Sequence, residues 1–75
     1  MLTVEEQVMR MLNGSFGTNR EIAKIISRPE PSVRRATKAL AMRGYVTTAG
    51  KLNGAFDYIP TPAGVAALRS KAVWG

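Results

Sequence analysis

Arg34, Arg35 and Lys38 fall within five consecutive positions, with Ser32 two places upstream. At about 3.6 residues per turn the three cations share one side of a helix whose other side is Val33, Ala36, Thr37 and Leu40. A guanidinium is a rigid fork of N–H donors that pairs bidentately with guanine O6/N7 or with a phosphate, and a lysine ammonium acts as a mobile point charge. Ser32 is short enough to work close to a groove floor. Asn19, Arg20 and Lys24 lie at the start of the preceding helix, where side chains and free N–H groups suit phosphate oxygens. Arg28, in the turn between the two helices, joins this backbone-contacting set or simply solvates the turn. Lys51 and Asn53 sit at the tip of a later hairpin, within reach of a flanking minor groove or backbone, although the turn alone also accounts for Asn53. The chemistry implied is recognition of duplex DNA, with Ser32, Arg34, Arg35 and Lys38 on base edges.

Covalent and metal chemistry find little support. The 75 residues include no His and no Cys, which removes the commonest general base, thiolate nucleophiles and zinc–thiolate sites. Glu5 and Glu6 are adjacent on a helix and diverge by about 100°, so they do not converge on one atom. Glu6 and Glu21 read as capping residues. Gly50-Lys51-Leu52 lacks the rest of a phosphate loop. Neither an enzyme, a cofactor nor a metal site is expected.

Formal net charge is +6, and the surplus is local. Residues 18–51 carry eight Lys and Arg against Glu21 and Glu30, whereas the segments on either side nearly balance. A stripe of this kind is the electrostatic footprint of phosphate binding, or a face kept basic for solubility. Hydrophobic residues make up 45%, enough to close one small core. No apolar run approaches a membrane span, and Met1 leads into a polar helix start with no signal-type segment. The expectation is one complete cytoplasmic domain over residues 1–75.

The elements that position these residues follow from capping and periodicity. Helix 1 is expected over 3–12, with Thr3 and Glu6 as a capping box and Val4, Val8, Met11 and Leu12 on its apolar face. Asn13-Gly14 stops it, and Phe16 in the following loop is assigned to the core. Helix 2 is expected over 18–26, with a second capping box, Thr18 and Glu21, and a buried face of Ile22, Ala23, Ile25 and Ile26. Pro29 prevents its continuation. Helix 3 is expected over 31–43, its N-cap open between Glu30 and Ser32, with Gly44 as its stop. The period then drops to two: Tyr45–Thr48 and Ala55–Ile59 read as strands joined through Asn53-Gly54. Thr61-Pro62 opens a last helix over 62–73. The order is α-α-α-β-β-α, a mainly helical α+β domain with a hairpin over 45–59.

Two short helices joined by a tight turn, the second basic on its exposed side, make a helix-turn-helix. Four phrases extend the pattern: Thr18-Asn19-Arg20-Glu21-Ile22-Ala23, Ser32-Val33-Arg34-Arg35-Ala36, Leu40-Ala41-Met42-Arg43-Gly44-Tyr45-Val46 and Thr61-Pro62-Ala63-Gly64. Together they resemble a winged helix-turn-helix domain, with the MarR-type bacterial regulators as the nearest pattern, over roughly Thr3 to Leu68. The resemblance implies a transcription regulator that places helix 3 in the major groove and the hairpin, or wing, on the flanking backbone or minor groove. It assigns Ser32, Arg34, Arg35 and Lys38 to the recognition helix, Asn19 and Arg20 to the backbone and Lys51 to the wing. Pro60 stands where the pattern prefers Leu, and Ala36-Thr37 replace bulkier residues. The long flanking helices that MarR-type proteins use for dimerisation and ligand binding are missing, so no small-molecule effector is implied. A minimal regulator of phage or plasmid type is the nearer comparison.

Val4, Val8, Val65, Leu68 and Trp74 supply more apolar surface at the chain ends than a three-helix core needs. They predict a two-fold homodimer holding its recognition helices about 34 Å apart on a pseudo-palindromic site. The alternative is a winged helix whose basic helix 3 docks on an acidic protein partner. Arg43 reads as a helix-dipole partner, and Tyr45, Phe56 and Tyr58 as packing residues rather than base-stacking platforms.

Overall fold

The computed structural model describes residues 2–52 and 54–74, excluding the side chains of Lys51, Leu52 and Lys71. Three helices, α1 (Val4–Leu12), α2 (Asn19–Ile26) and α3 (Glu30–Met42), precede an antiparallel hairpin of β1 (Val46–Leu52) and β2 (Ala55–Pro60). Two short helices follow, α4 (Pro62–Ala67) and α5 (Lys71–Trp74).

Helix starts and stops follow the capping chemistry. Thr18 accepts from the Glu21 N–H while the Glu21 carboxylate accepts from the Thr18 N–H, a complete capping box. On α1 only half the box forms. Thr3 accepts from the Glu6 N–H, but the Glu6 carboxylate runs along the helix to Arg10 at 2.8 Å. Neither Glu30 nor Ser32 caps α3. Pro29, in an extended conformation, takes the cap position, and its carbonyl accepts from the N–H groups of Ser32 and Val33. Gly44 (φ +79°) ends α3, with the Tyr45 N–H returning to the Leu40 carbonyl. Ser27 (φ +57°) does the same for α2 without glycine's freedom, and the Arg28 N–H returns to Ala23.

The core joins all three helices to the hairpin: Val8, Met9 and Leu12 from α1, Ile22 and Ala23 from α2, Val33, Ala36 and Leu40 from α3, and Val46 from β1. Three expectations are corrected here. Met9, absent from the expected face of α1, is fully buried because Gly64 of α4 leaves a notch for it. Phe16 is 64% exposed. Gly17 forms a two-hydrogen-bond bridge with Tyr58 and faces inward, so strand-like alternation turns Phe16 outward. Ile25 is 63% exposed, because the buried face of this short helix is centred between Ile22 and Ala23, about 110° away.

The hairpin strands are longer than expected, and the connection between them is shorter. Val46 pairs with Pro60 and Leu52 with Ala55, leaving a two-residue connection in which Gly54 takes φ +80°. The register slips between Thr48 and Gly50, so Ala49 is the extra residue of a β-bulge. Tyr45 lies before the strand.

The single last helix expected over 62–73 is two helices. After Ala67 the N–H groups of Leu68, Arg69 and Ser70 bond three residues back, to Val65, Ala66 and Ala67, and the ladder tightens and stops. The chain then turns, and the Trp74 indole N–H donates to the Ala67 carbonyl at 2.9 Å. Thr61 fastens this unit to α3: its N–H donates to Tyr45 O, its hydroxyl to Gly44 O at 2.6 Å, and it accepts from the Gly64 N–H.

Candidate nucleic-acid interface

The first turn of α2, the first turn of α3 and the hairpin meet along an open groove of about 300 Å³. Asn19 and Arg20 come from α2, Glu30 and Arg34 from α3, and Phe56 and Tyr58 from β2. The first-turn N–H groups of Asn19 and Arg20 have no acceptor within the helix. Glu21 stays ionised as the cap. Its pKa is lowered, first by the Thr18 backbone N–H and then by the Thr18 hydroxyl and the charge of Lys24. Its contribution to stability is therefore present above the ordinary carboxylate range and is lost as pH falls through the lowered value.

A lock that the sequence pattern did not reveal fixes how α2 crosses α3. Thr37 is fully buried, and its hydroxyl lies 2.8 Å from Asn19 Oδ1 and 3.1 Å from the Arg34 carbonyl, to one of which it donates. Periodicity placed Thr37 on the apolar face, and only the helix crossing brings Asn19 to it. Asn19 therefore has a structural partner as well as a place in the groove. On the far side of the turn, Arg28 Nε donates to Gln7 Oε1 at 3.1 Å, tying the turn to α1. Part of the donor capacity assigned to DNA backbone contact is spent there.

The expected base-reading residues divide by position around α3. Arg34 is in the groove, its Nη2 2.6 Å from Glu30 Oε2. Arg35 and Lys38 are exposed and have no acidic partner among the described residues. Ser32 lies about 160° around the helix from Arg34. It lines a separate hollow against α1 with Val4 and Ala39, whose rim Arg35 also reaches. Arg20 and Lys24 are exposed on α2. Asn53 and the Lys51 side chain lie outside the described residues.

The opposite end of α3 uses its cation differently. Arg43 contacts Glu5 Oε1 at 3.3 Å, and its guanidinium carbon stands 5.4 Å from the Tyr45 ring centroid and 5.9 Å from that of Trp74. The two rings are tilted at 58° with centroids 5.9 Å apart. Trp74, expected at a dimer interface, thus packs on its own chain, as do Val4 and Leu68. Val8 is corrected outright: it is fully buried within the protomer and has no surface to offer a partner. Val65 is half-buried. Among the described residues no group of acidic side chains is arranged to hold a metal, and no helix is long and apolar enough to cross a membrane.

Three helices, a two-stranded antiparallel hairpin and a closing helical unit define a winged-helix-like α+β fold. The solved structures agree. A variant of ZitR from Lactococcus lactis superposes with a TM-score of 0.79 at 17% identity over 99% of this chain and 52% of that one. A transcriptional regulator from Clostridium thermocellum, Cth-833, gives 0.79 at 20% identity over 92% of this chain and 76% of that one. A ZitR variant in complex with DNA gives 0.78 at 18% identity, over 99% and 52%. The chain spans about half the length of the ZitR structures it matches. No family model and no curated protein matches the sequence.

Proposed function

We propose that this chain is a DNA-binding transcription regulator of MarR-like pattern that reads duplex DNA with the exposed side of α3. The observation that carries the reading is the groove between α3 and the hairpin. A helix in the major groove and a hairpin in the adjacent minor groove must straddle one sugar–phosphate backbone. The channel between them here presents to that backbone the free N–H groups at the start of α2 and the Arg20 side chain, and Arg34 lines its α3 wall. Arg35 and Lys38 project from the same helix without acidic partners among the described residues, and with Arg34 serve as donors to base edges. Lys24 and Arg28 add charge along the flank, and Lys51 and Asn53 are assigned from their place in the sequence to contact with the neighbouring groove. The likeness to a DNA-complexed structure supports the reading. In this reading two copies bind a pseudo-palindromic site.

Selection from a random duplex library at physiological salt, with excess nonspecific competitor, tests the proposal. Low salt is uninformative because any protein of this charge binds there. A defined motif is expected, and its symmetry reports the dimer. A folded protein that enriches no motif overturns the reading and directs the search to an acidic protein partner.

A further inference from the structure

Glu30 is the one carboxylate lining the groove among the described residues. It stands between Pro29 and Pro31, so both flanking φ angles are fixed and its Cα is held firmly at the mouth of the groove. Its Oε2 accepts from Arg34 Nη2 at 2.6 Å, and no protein donor reaches Oε1 among the described residues. The two side chains are 39% and 64% exposed, and so open a surface pair adds little to stability. An acid in a first turn complements the helix dipole, but that role does not require contact with an arginine. A carboxylate on a phosphate-binding surface also opposes nonspecific attraction to every duplex.

An ionised carboxylate only accepts hydrogen bonds, and the donors on the major-groove floor are the amino groups of cytosine and adenine. Guanine O6 and thymine O4 repel it. We infer that Glu30 is a specificity-determining residue that works as a unit with Arg34. Glu30 accepts from a cytosine N4 amino group while Arg34, oriented by Oε2, donates to a neighbouring guanine. Glu30 thereby trades affinity for all DNA against discrimination at one base pair. The inference rests on the DNA-reading assignment above.

The test is parallel motif selection and salt-dependent binding for the wild-type chain, Glu30→Gln and Arg34→Gln. The wild-type motif is expected to demand cytosine at one position beside a guanine. Glu30→Gln should lose about 5-fold or more of that discrimination, the lower end of what one good pair supplies. It should also bind random duplex more tightly, with a log–log salt slope steeper by up to about one. Arg34→Gln should relax the neighbouring guanine. Circular dichroism and melting monitor the fold. If Glu30→Gln fails to fold, Glu30→Asp carries the test: it keeps the charge but withdraws the oxygen, so cytosine preference should fall with the salt slope unchanged. An unaltered motif and slope in the folded variant overturn the role of Glu30 and leave the DNA reading intact. No motif from the wild-type chain overturns both.

Discussion

The two ends of α3 carry the same kind of residue and use it in opposite ways. Over its N-terminal and middle turns Arg35 and Lys38 stand in solvent without acidic partners among the described residues, and Arg34 is held by Glu30 across an exposed surface. At the C-terminal end Arg43 is fastened between Glu5 and the rings of Tyr45 and Trp74. One end keeps its donors available, and the other converts its cation into scaffold. What separates them is not the arginine but what the chain folds against it: a hairpin and a helix start on one side, an acid and two aromatic rings on the other.

Substitutions at one end of α3 should move stability, and substitutions at the other should move DNA affinity. The largest effect is expected at Gly64, where an added Cβ would overlap the Tyr45 carbonyl and crowd the Met9 methyl. Gly64→Ala should cost about 3 kcal/mol in denaturant unfolding. Trp74→Ala should cost about 2 kcal/mol of stability, less than a fully buried Trp because the ring is only half-buried, and should leave affinity for the selected site unchanged. Arg35→Ala should do the reverse. It should keep stability within about 0.5 kcal/mol, lose about 1–2 kcal/mol of binding to the selected duplex, and relax one base position. Equal losses of stability and binding from both Trp74→Ala and Arg35→Ala would erase the distinction. The smallest change sharpens it: Ser27→Gly relieves a left-handed serine in the turn between α2 and α3. It should raise the unfolding free energy by about 0.5–1 kcal/mol without altering the motif.

Much of the architecture was legible because it is written in local chemistry. Thr18 with Glu21, Thr61-Pro62 and Gly44 state where helices begin and end, and Asn53-Gly54 marks the hairpin, whichever tertiary neighbours follow. What escaped was set by neighbours remote in sequence. Met9 is core because Gly64 makes room for it, and Phe16 is exposed because Gly17 bridges to Tyr58. The clamp on Arg43 needs Trp74, which reaches it only after the last helix breaks at Leu68. The apolar residues at the chain ends form a surplus if the last helix runs straight, whereas the turn brings Trp74 onto Tyr45. In the interface, residue type and helical spacing identified the cations. They did not reveal that Thr37 reaches Asn19, that Arg28 is tied to Gln7, or that Ser32 faces α1.

The most direct test of the functional end of α3 is residue-resolved amide chemical-shift mapping on titration with the selected duplex at physiological salt. The largest changes are expected to cluster at 18–20, 30–38 and 54–58, with the Tyr45, Thr61–Ala67 and Trp74 region nearly still. Changes concentrated around Arg43, Tyr45 and Trp74, or spread evenly over the surface, would contradict DNA reading by α3.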